Sequence, residues 1–448
     1  MNATVRRDQS SVFAPDARTG IFPSFSAAWR ISSESFLKSV SFINDLKLRA
    51  SWGKLGSAVN VDGRNPFTLY GTNAGRSFYD IGGTSINPVA GFFNSNLGNP
   101  KTSWEQDIIT NFGLDATLFN NKLEFSVEWY QKKVSGLLFP DNIDRIYGEG
   151  TPPKINIGNM ENKGIDLNTT YHGNIGKEFK FDIGGTFTTY HNKIISLAKN
   201  QLYFPGPQVR NVVIQRNTIG QPAWSFFGYQ SLGLFQSADE VTKAPKQQDA
   251  APGLLRYKDI NNDGKIDEND RTFIGNPNPD FTYGINIGFT YRNFDFSTFL
   301  FGSVGNDIFN QTRYFTDFPD FFKGGIRKEA ALNSWTPTNP NATVPKLQTT
   351  GGFSSSGTTS SYFVSKGSYL RNKQMQIGYT FPSKIISKAG LDRLRIYVQA
   401  ANLFTITKYD GLDPELQSND INNTQGFSVD QGNYPHTRSF IFGINLNF

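Results

Sequence analysis

Cysteine is absent from the 448 residues, which excludes disulfides and thiolate metal sites. No run of about eighteen apolar residues occurs, so no segment is built to cross a bilayer as a helix. Lys and Arg form no dense run, and a net charge of +6 is modest for this length. Nucleic acid is therefore not an expected partner. His172, His191 and His436 are the three histidines, and none has metal-ligand spacing. The opening Met1-Asn2-Ala3-Thr4-Val5-Arg6-Arg7-Asp8 lacks the apolar stretch of a secretory leader.

Aromatic residues, at 14%, and 43 glycines stand out against a hydrophobic content of only 37%. That mixture suits aromatic-rich strands joined by long polar loops. The alternation is explicit at the C-terminus, where Phe440, Phe442, Ile444, Leu446 and Phe448 share one face. Leu123, Phe125, Val127 and Trp129 oppose Lys122, Glu124, Ser126 and Glu128. Phe281, Tyr283, Ile285, Ile287 and Phe289 oppose Thr282, Gly284, Asn286, Gly288 and Thr290. Segments 25–31, 46–52, 104–118, 164–172, 179–188, 369–381 and 393–400 follow the same rule.

Strands of about nine to eleven residues with one greasy face are what a tilted membrane strand requires. Short links at 119–122, 173–177, 292–295 and 382–393 alternate with long ones at about 58–102, 137–158, 194–279, 307–366 and 407–436. Tight turns on one rim and long loops on the other is the asymmetry of outer-membrane barrels. A β-sandwich or propeller also alternates, but its strands are usually shorter, about five to six residues. The expected fold is therefore all-β: an antiparallel transmembrane β-barrel of about twelve strands over 1–448. The first strand lies near Asn2–Arg7, and Phe226–Phe235 belongs to structure inside a long outer loop. Such a barrel needs export, so the leaderless opening implies either that the barrel reading is wrong or that the beginning is missing.

One stretch carries the spacing of a calcium loop. Asp259, Asn261 and Asp263 place side-chain oxygens at positions one, three and five. Gly264 falls at six for the sharp turn, Lys265 offers its carbonyl at seven, and Ile266 anchors the loop at eight. Asp270 replaces the usual Glu at twelve. An Asx-rich turn that binds nothing is the alternative; a Ca²⁺ here would stiffen an outer loop and do no catalysis. Gly351–Tyr362, rich in Ser, Thr and Gly, reads as a mobile loop tip. Tyr203, Trp224 and Tyr229 are candidates to stack on sugar rings, although packing within loops is the commoner role. No catalytic constellation is present; a glycan-active enzyme would need paired carboxylates in a cleft, so no enzyme is expected.

Several stretches in succession resemble the SusC/RagA family of TonB-dependent outer-membrane transporters. They are 2–8 with 22–31 (FPSFSAAWRI), 43–53 (INDLKLRASWG), 257–281 from Tyr257 through Asp270 to Asn276-Pro277-Asn278-Pro279-Asp280-Phe281, then 401–405 (ANLFT), and the terminal Phe448. The resemblance implies the C-terminal portion, about twelve strands, of a barrel of about twenty-two, with the plug domain and TonB-contacting segment absent here and belonging to a longer protein. It further implies import of oligosaccharides or peptides, a SusD-like surface lipoprotein as partner, surrounding outer-membrane lipid, and coupling to TonB only through the N-terminal part missing here. A passive porin or surface adhesion barrel stabilised by calcium is the alternative function.

Overall fold

The computed structural model describes residues 1–59, 61–83, 88–141, 146, 148, 150–198, 202–206, 208–209, 212–320, 325–416 and 426–448. Twelve long strands make the principal sheet, and their order in it follows the chain. They are β1 (Asn2–Gln9), β2 (Thr19–Arg30), β3 (Ile43–Ser57), β4 (Glu105–Leu118), β5 (Leu123–Ser135), β6 (Gly158–Ile175), β7 (Phe179–Leu197), β8 (Phe281–Tyr291), β9 (Phe294–Val304), β10 (Tyr369–Thr380), β11 (Arg393–Ala401) and β12 (Ser439–Asn447). The expected strand count and antiparallel pairing are those observed. No plug-like domain occurs among the described residues.

Two compact units divide the chain. The first comprises Met1–Asp166, His191–Phe204 and Thr218–Gln221. In it, Ala50 pairs with Phe112 and Phe112 with Trp129, while one residue along Arg49 pairs with Gly113 and Gly113 with Glu128. The period-two pleat therefore sends aromatic and charged rows to opposite faces. Phe112 is 56% exposed and Trp129 39%, yet their rings stack on each other at 5.9 Å, as do Phe25 and Trp52. Large apolar side chains packed only sideways, with an open outer surface, form a band that hydrocarbon must cover.

The second unit comprises Leu167–Tyr190, Pro205–Asn217 and Pro222–Phe448. Tyr283, Ile285, Ile287 and Phe289 are partly exposed and belong to none of the buried clusters. Phe289 lies 5.7 Å from the Phe179 ring and 4.9 Å from that of Phe296. On β11 and β12, Ile396 pairs with Ile444 and Val398 with Phe442, all exposed. Among the described residues β1 ladders with β2 alone and β12 with β11 alone, so each leaves one row of backbone groups at an edge.

Tight turns join β4 to β5, β6 to β7 and β8 to β9. In the first, Phe119, Asn120 and Asn121 are all left-handed, with φ of 55, 57 and 63°, a geometry Asn tolerates better than most residues. The five long links leave the opposite strand ends, and each includes residues outside those described. In the second unit the long links fold together. Phe226–Tyr229 pairs with Arg271–Gly275, Ser231–Leu234 with Leu255–Tyr257, and Asp307–Asn310 lies between Val364–Lys366 and Val429–Asp430. Their core holds Phe226, Tyr229, Leu255, Tyr257, Phe309, Phe363 and Trp335.

The Gly351–Tyr362 segment is not the mobile tip its composition suggests. Ser354, Ser355, Ser356, Thr359 and Ser360 are buried. Leu255 donates its N–H to the Ser354 carbonyl at 2.9 Å, and Tyr229 donates to that of Thr359 at 2.9 Å. Gln247 donates its side-chain amide to Ser354 Oγ at 2.7 Å. The segment lies inside the module and behaves as an internal strand partner.

The apolar band and the loop core separate two tryptophans by environment. In bilayers made with brominated acyl chains, a variant retaining only Trp129 is expected to lose most of its fluorescence. One retaining only Trp335 should keep it. Equal quenching of the two would show that the exposed apolar face does not meet lipid.

Candidate functional site

The charged face of the sheet is built by a recurring device. Arg49 on β3 reaches across β4 to Glu128 on β5, passing over Gly113, where a Cβ would stand 2.7 Å from the guanidinium carbon. Arg49 Nε also donates to Asp115 Oδ1 at 3.2 Å, Ser126 donates to the same oxygen at 2.8 Å, and Lys47 lies 3.4 Å from Asp115 Oδ2. In the second unit Arg395 on β11 crosses β10 over Gly378 to Asp295 on β9, at 2.9 and 2.5 Å. A Cβ at Gly378 would come within 2.4 Å of the guanidinium. Small residues under long cations let charges pair two strands apart, so Arg49 and Arg395 are neutralised on this polar face.

At the long-loop end of β10, Arg371 is almost fully buried. It donates to Thr405 at 2.9 Å, Glu415 at 2.7 Å and Asp413 at 2.5 Å, and Lys373 joins Glu415 at 2.5 Å. Asp413 also accepts the backbone N–H groups of Glu415 and His436, each at 2.9 Å. Burial pushes the Asp413 carboxyl up, but those N–H groups with Arg371 and the His436 ring outweigh it and hold it at about 2. The knot ties residues 405–415 and His436 to one wall strand. A second cluster joins buried Asp317 to Arg327 and, at 2.5 Å, to the Tyr362 hydroxyl. Asp410 bridges Arg313 at 2.7 Å and Arg327 at 3.1 Å.

The calcium-loop residues lie in one turn closed mainly on its own backbone. Asp259 accepts the N–H groups of Asn262 at 2.6 Å and Gly264 at 2.9 Å. Asn261 accepts that of Asp263 at 3.0 Å, and Asp263 that of Lys265 at 3.1 Å. Asp270, fully buried, accepts Ile260 and Asp267 N–H, both at 2.8 Å. Gly264 has the expected left-handed φ, 82°, and Asn262 before it has 60°. Ile266 is buried in the loop core, and its N–H donates to Lys246 at 2.9 Å. The Lys265 ammonium sits 2.7 Å from Asp267 and, with the Asn269 N–H, holds that carboxyl below the usual range. Among the described residues no three acidic or histidine side chains are gathered as metal ligands would be.

The three aromatic candidates for sugar stacking part company. Tyr229 is buried and stacked on Tyr257 at 5.2 Å, so it is a core residue and not a platform. Trp224 is partly buried, and Tyr203 is 40% exposed. Sequence reasoning missed the Arg371–Asp413 knot; its members lie up to 65 positions apart, counting from Arg371 to His436, and carry no local pattern.

The seat under Arg49 is directly testable. Gly113→Val should cost about 1–3 kcal/mol in urea unfolding of the detergent-solubilised chain, the usual range for forcing added bulk into an occupied space. Because Arg49 is the occupant, Arg49→Ala combined with Gly113→Val should cost clearly less than the sum of the single changes. Strict additivity would show that the two do not share that space.

The family described as TonB dependent receptor-like, beta-barrel matches residues 1–403. TonB-dependent receptor P3 of Formosa agariphila is 34% identical over 99% of this chain and 43% of its own length. TonB-dependent receptor SusC of Bacteroides thetaiotaomicron is 30% identical over 99% of this chain and 42% of its own. The solved structure of the RagAB peptide transporter superposes with a TM-score of 0.80 at 25% identity, over 100% of this chain and 45% of the matched one. The chain thus spans less than half the length of these relatives. Twelve antiparallel strands with an exposed apolar face and a charge-paired polar face are what such a barrel contributes. The chain belongs to the TonB-dependent receptor family, as part of a SusC/RagA-type β-barrel in the outer membrane of a Gram-negative bacterium.

Proposed function

We propose that the chain forms pore wall and outer face of a TonB-dependent importer for nutrients too large for a passive pore, oligosaccharides or peptides. The observation that carries this reading is the division of the strands into a lipid-facing apolar side and a polar side on which Lys47, Arg49, Lys132 and Arg395 pair with carboxylates. A pore lining in which many charges are neutralised by neighbours offers hydrogen bonds with a weakened field, which suits large neutral or zwitterionic solutes. RagAB is a peptide transporter, and it supports the size class of the cargo. The reading implies a SusD-like surface lipoprotein at the long-loop rim and TonB engaged through parts of the protein outside this chain.

The test is uptake by cells of labelled oligosaccharides and peptides, with and without the coding segment for residues 1–448. Deletion should abolish uptake of at least one large substrate while leaving its monomer untouched, and a protonophore should do the same. Uptake that persists in de-energised cells would make this a passive porin.

We further propose that the Asp259–Asp270 loop takes Ca²⁺. Its left-handed residues at the fourth and sixth positions and its buried Ile266 support the reading. A carboxylate oxygen that accepts one N–H keeps a second lone pair for a cation. Calorimetry on the detergent-solubilised chain should show calcium-dependent heat that Asp263→Ala removes. Equal heat in both forms, or none in either, would leave an ordinary Asx-rich turn.

A further inference from the structure

The outward face of β5, β6 and β7 changes character toward the long loops. Phe112, Val127, Trp129 and Ile165 line one apolar depression on that face. Above them the same alternation continues with Gln131 and Lys133 on β5, Glu161 and Lys163 on β6, and His191 and Lys193 on β7. The strands go on pairing there: Gln131 donates to Glu161 at 2.9 Å across β5 and β6, and Asn192 to Asn162 at 2.6 Å across β6 and β7. Lys133, Lys163, His191 and Lys193 are all exposed.

Their partners set them apart from the cations of the opposite face. Lys132, one residue from Lys133, points the other way and is paired with Asp107 at 2.8 Å. Lys133 and Lys193 have no carboxylate within ion-pair distance among the described residues. Lys163 stands 3.8 Å from Glu161, the one acid in the group. With strands about 4.8 Å apart and a rise of about 3.4 Å per residue, the three lysine positions lie roughly 8–14 Å from one another. Three cations that share a single acid, on the same face as an apolar band and toward its long-loop side, carry a net positive charge at headgroup level.

We propose that Lys133, Lys163 and Lys193 form a binding ledge for the phosphate groups of an anionic glycolipid in the outer leaflet, whose acyl chains lie against Trp129 and Ile165. The occupant follows from continuity: a ligand that fills both parts of this surface needs chains below and negative charge above. The inference rests on the membrane reading of the exposed face. Failure of that reading would appear separately, as equal quenching of Trp129 and Trp335.

The test is lipid retention by the detergent-solubilised chain, measured by native mass spectrometry with bis-phosphorylated lipid A, its dephosphorylated form, and phosphatidylcholine. The unmutated chain should retain the phosphorylated lipid selectively, and retention should fall as salt rises from about 50 to 500 mM. Lys133→Gln/Lys163→Gln/Lys193→Gln should weaken retention on the order of 100-fold, a factor of about five per lysine near an anionic surface. Lys132→Gln, on the opposite face, should leave it unchanged. Equal retention of the dephosphorylated lipid by the unmutated chain, or insensitivity to salt, would overturn the proposal without recourse to any variant. So would a triple variant that still binds as the parent does.

Discussion

A strand in hydrocarbon has no water to satisfy its N–H and C=O groups, so each must find its partner on a neighbouring strand. The long ladders of β1 to β12 answer that constraint, and much else follows from it. Strands must be long enough to carry the ladder across the apolar layer, which sets their length. They must alternate, because one face meets lipid and the other does not. Charges cannot sit on the lipid side of the band, so they collect on the opposite face and must be neutralised there.

The neutralisation uses space as much as chemistry. Arg49 and Arg395 each reach a carboxylate two strands away, and each does so over a glycine, Gly113 and Gly378. A side chain at either position would lift the guanidinium off the sheet. The glycines are thus part of an electrostatic arrangement although they carry no charge, and their role is visible only across three strands.

The wall was legible in the sequence because its rule is local: every second residue is apolar, and turn residues mark the short rim. Legibility ended where the rule did. The alternation of 164–172 stops marking a strand once the lipid-side residues become Lys163 and Glu161, yet the ladder of β6 runs from Gly158 to Ile175. The core of the long loops was legible only in part, through the strand-like Phe226–Phe235 and the anchoring Ile266, both of which enter it. Tyr229 is open to either stacking on a ligand or packing within the loops, and Gly351–Tyr362 looks like a flexible tip, since Ser, Thr and Gly usually face water. Both are interior because Gln247, Leu255 and Tyr257, distant in sequence, supply their partners. The calcium-type spacing correctly marked a sharp turn at Gly264, but not that its oxygens would close on backbone N–H groups.

The burial of Ser354–Ser360 bears on how the cell surface presents this protein. Antibodies and phages read surfaces, and surface loops are where they drive change. A stretch whose composition advertises it as such a loop is shielded by the module around it. Tolerance to inserted peptide tags should therefore be poor between Gly351 and Tyr362 and better near Leu202 or Tyr434, which are 84% and 86% exposed.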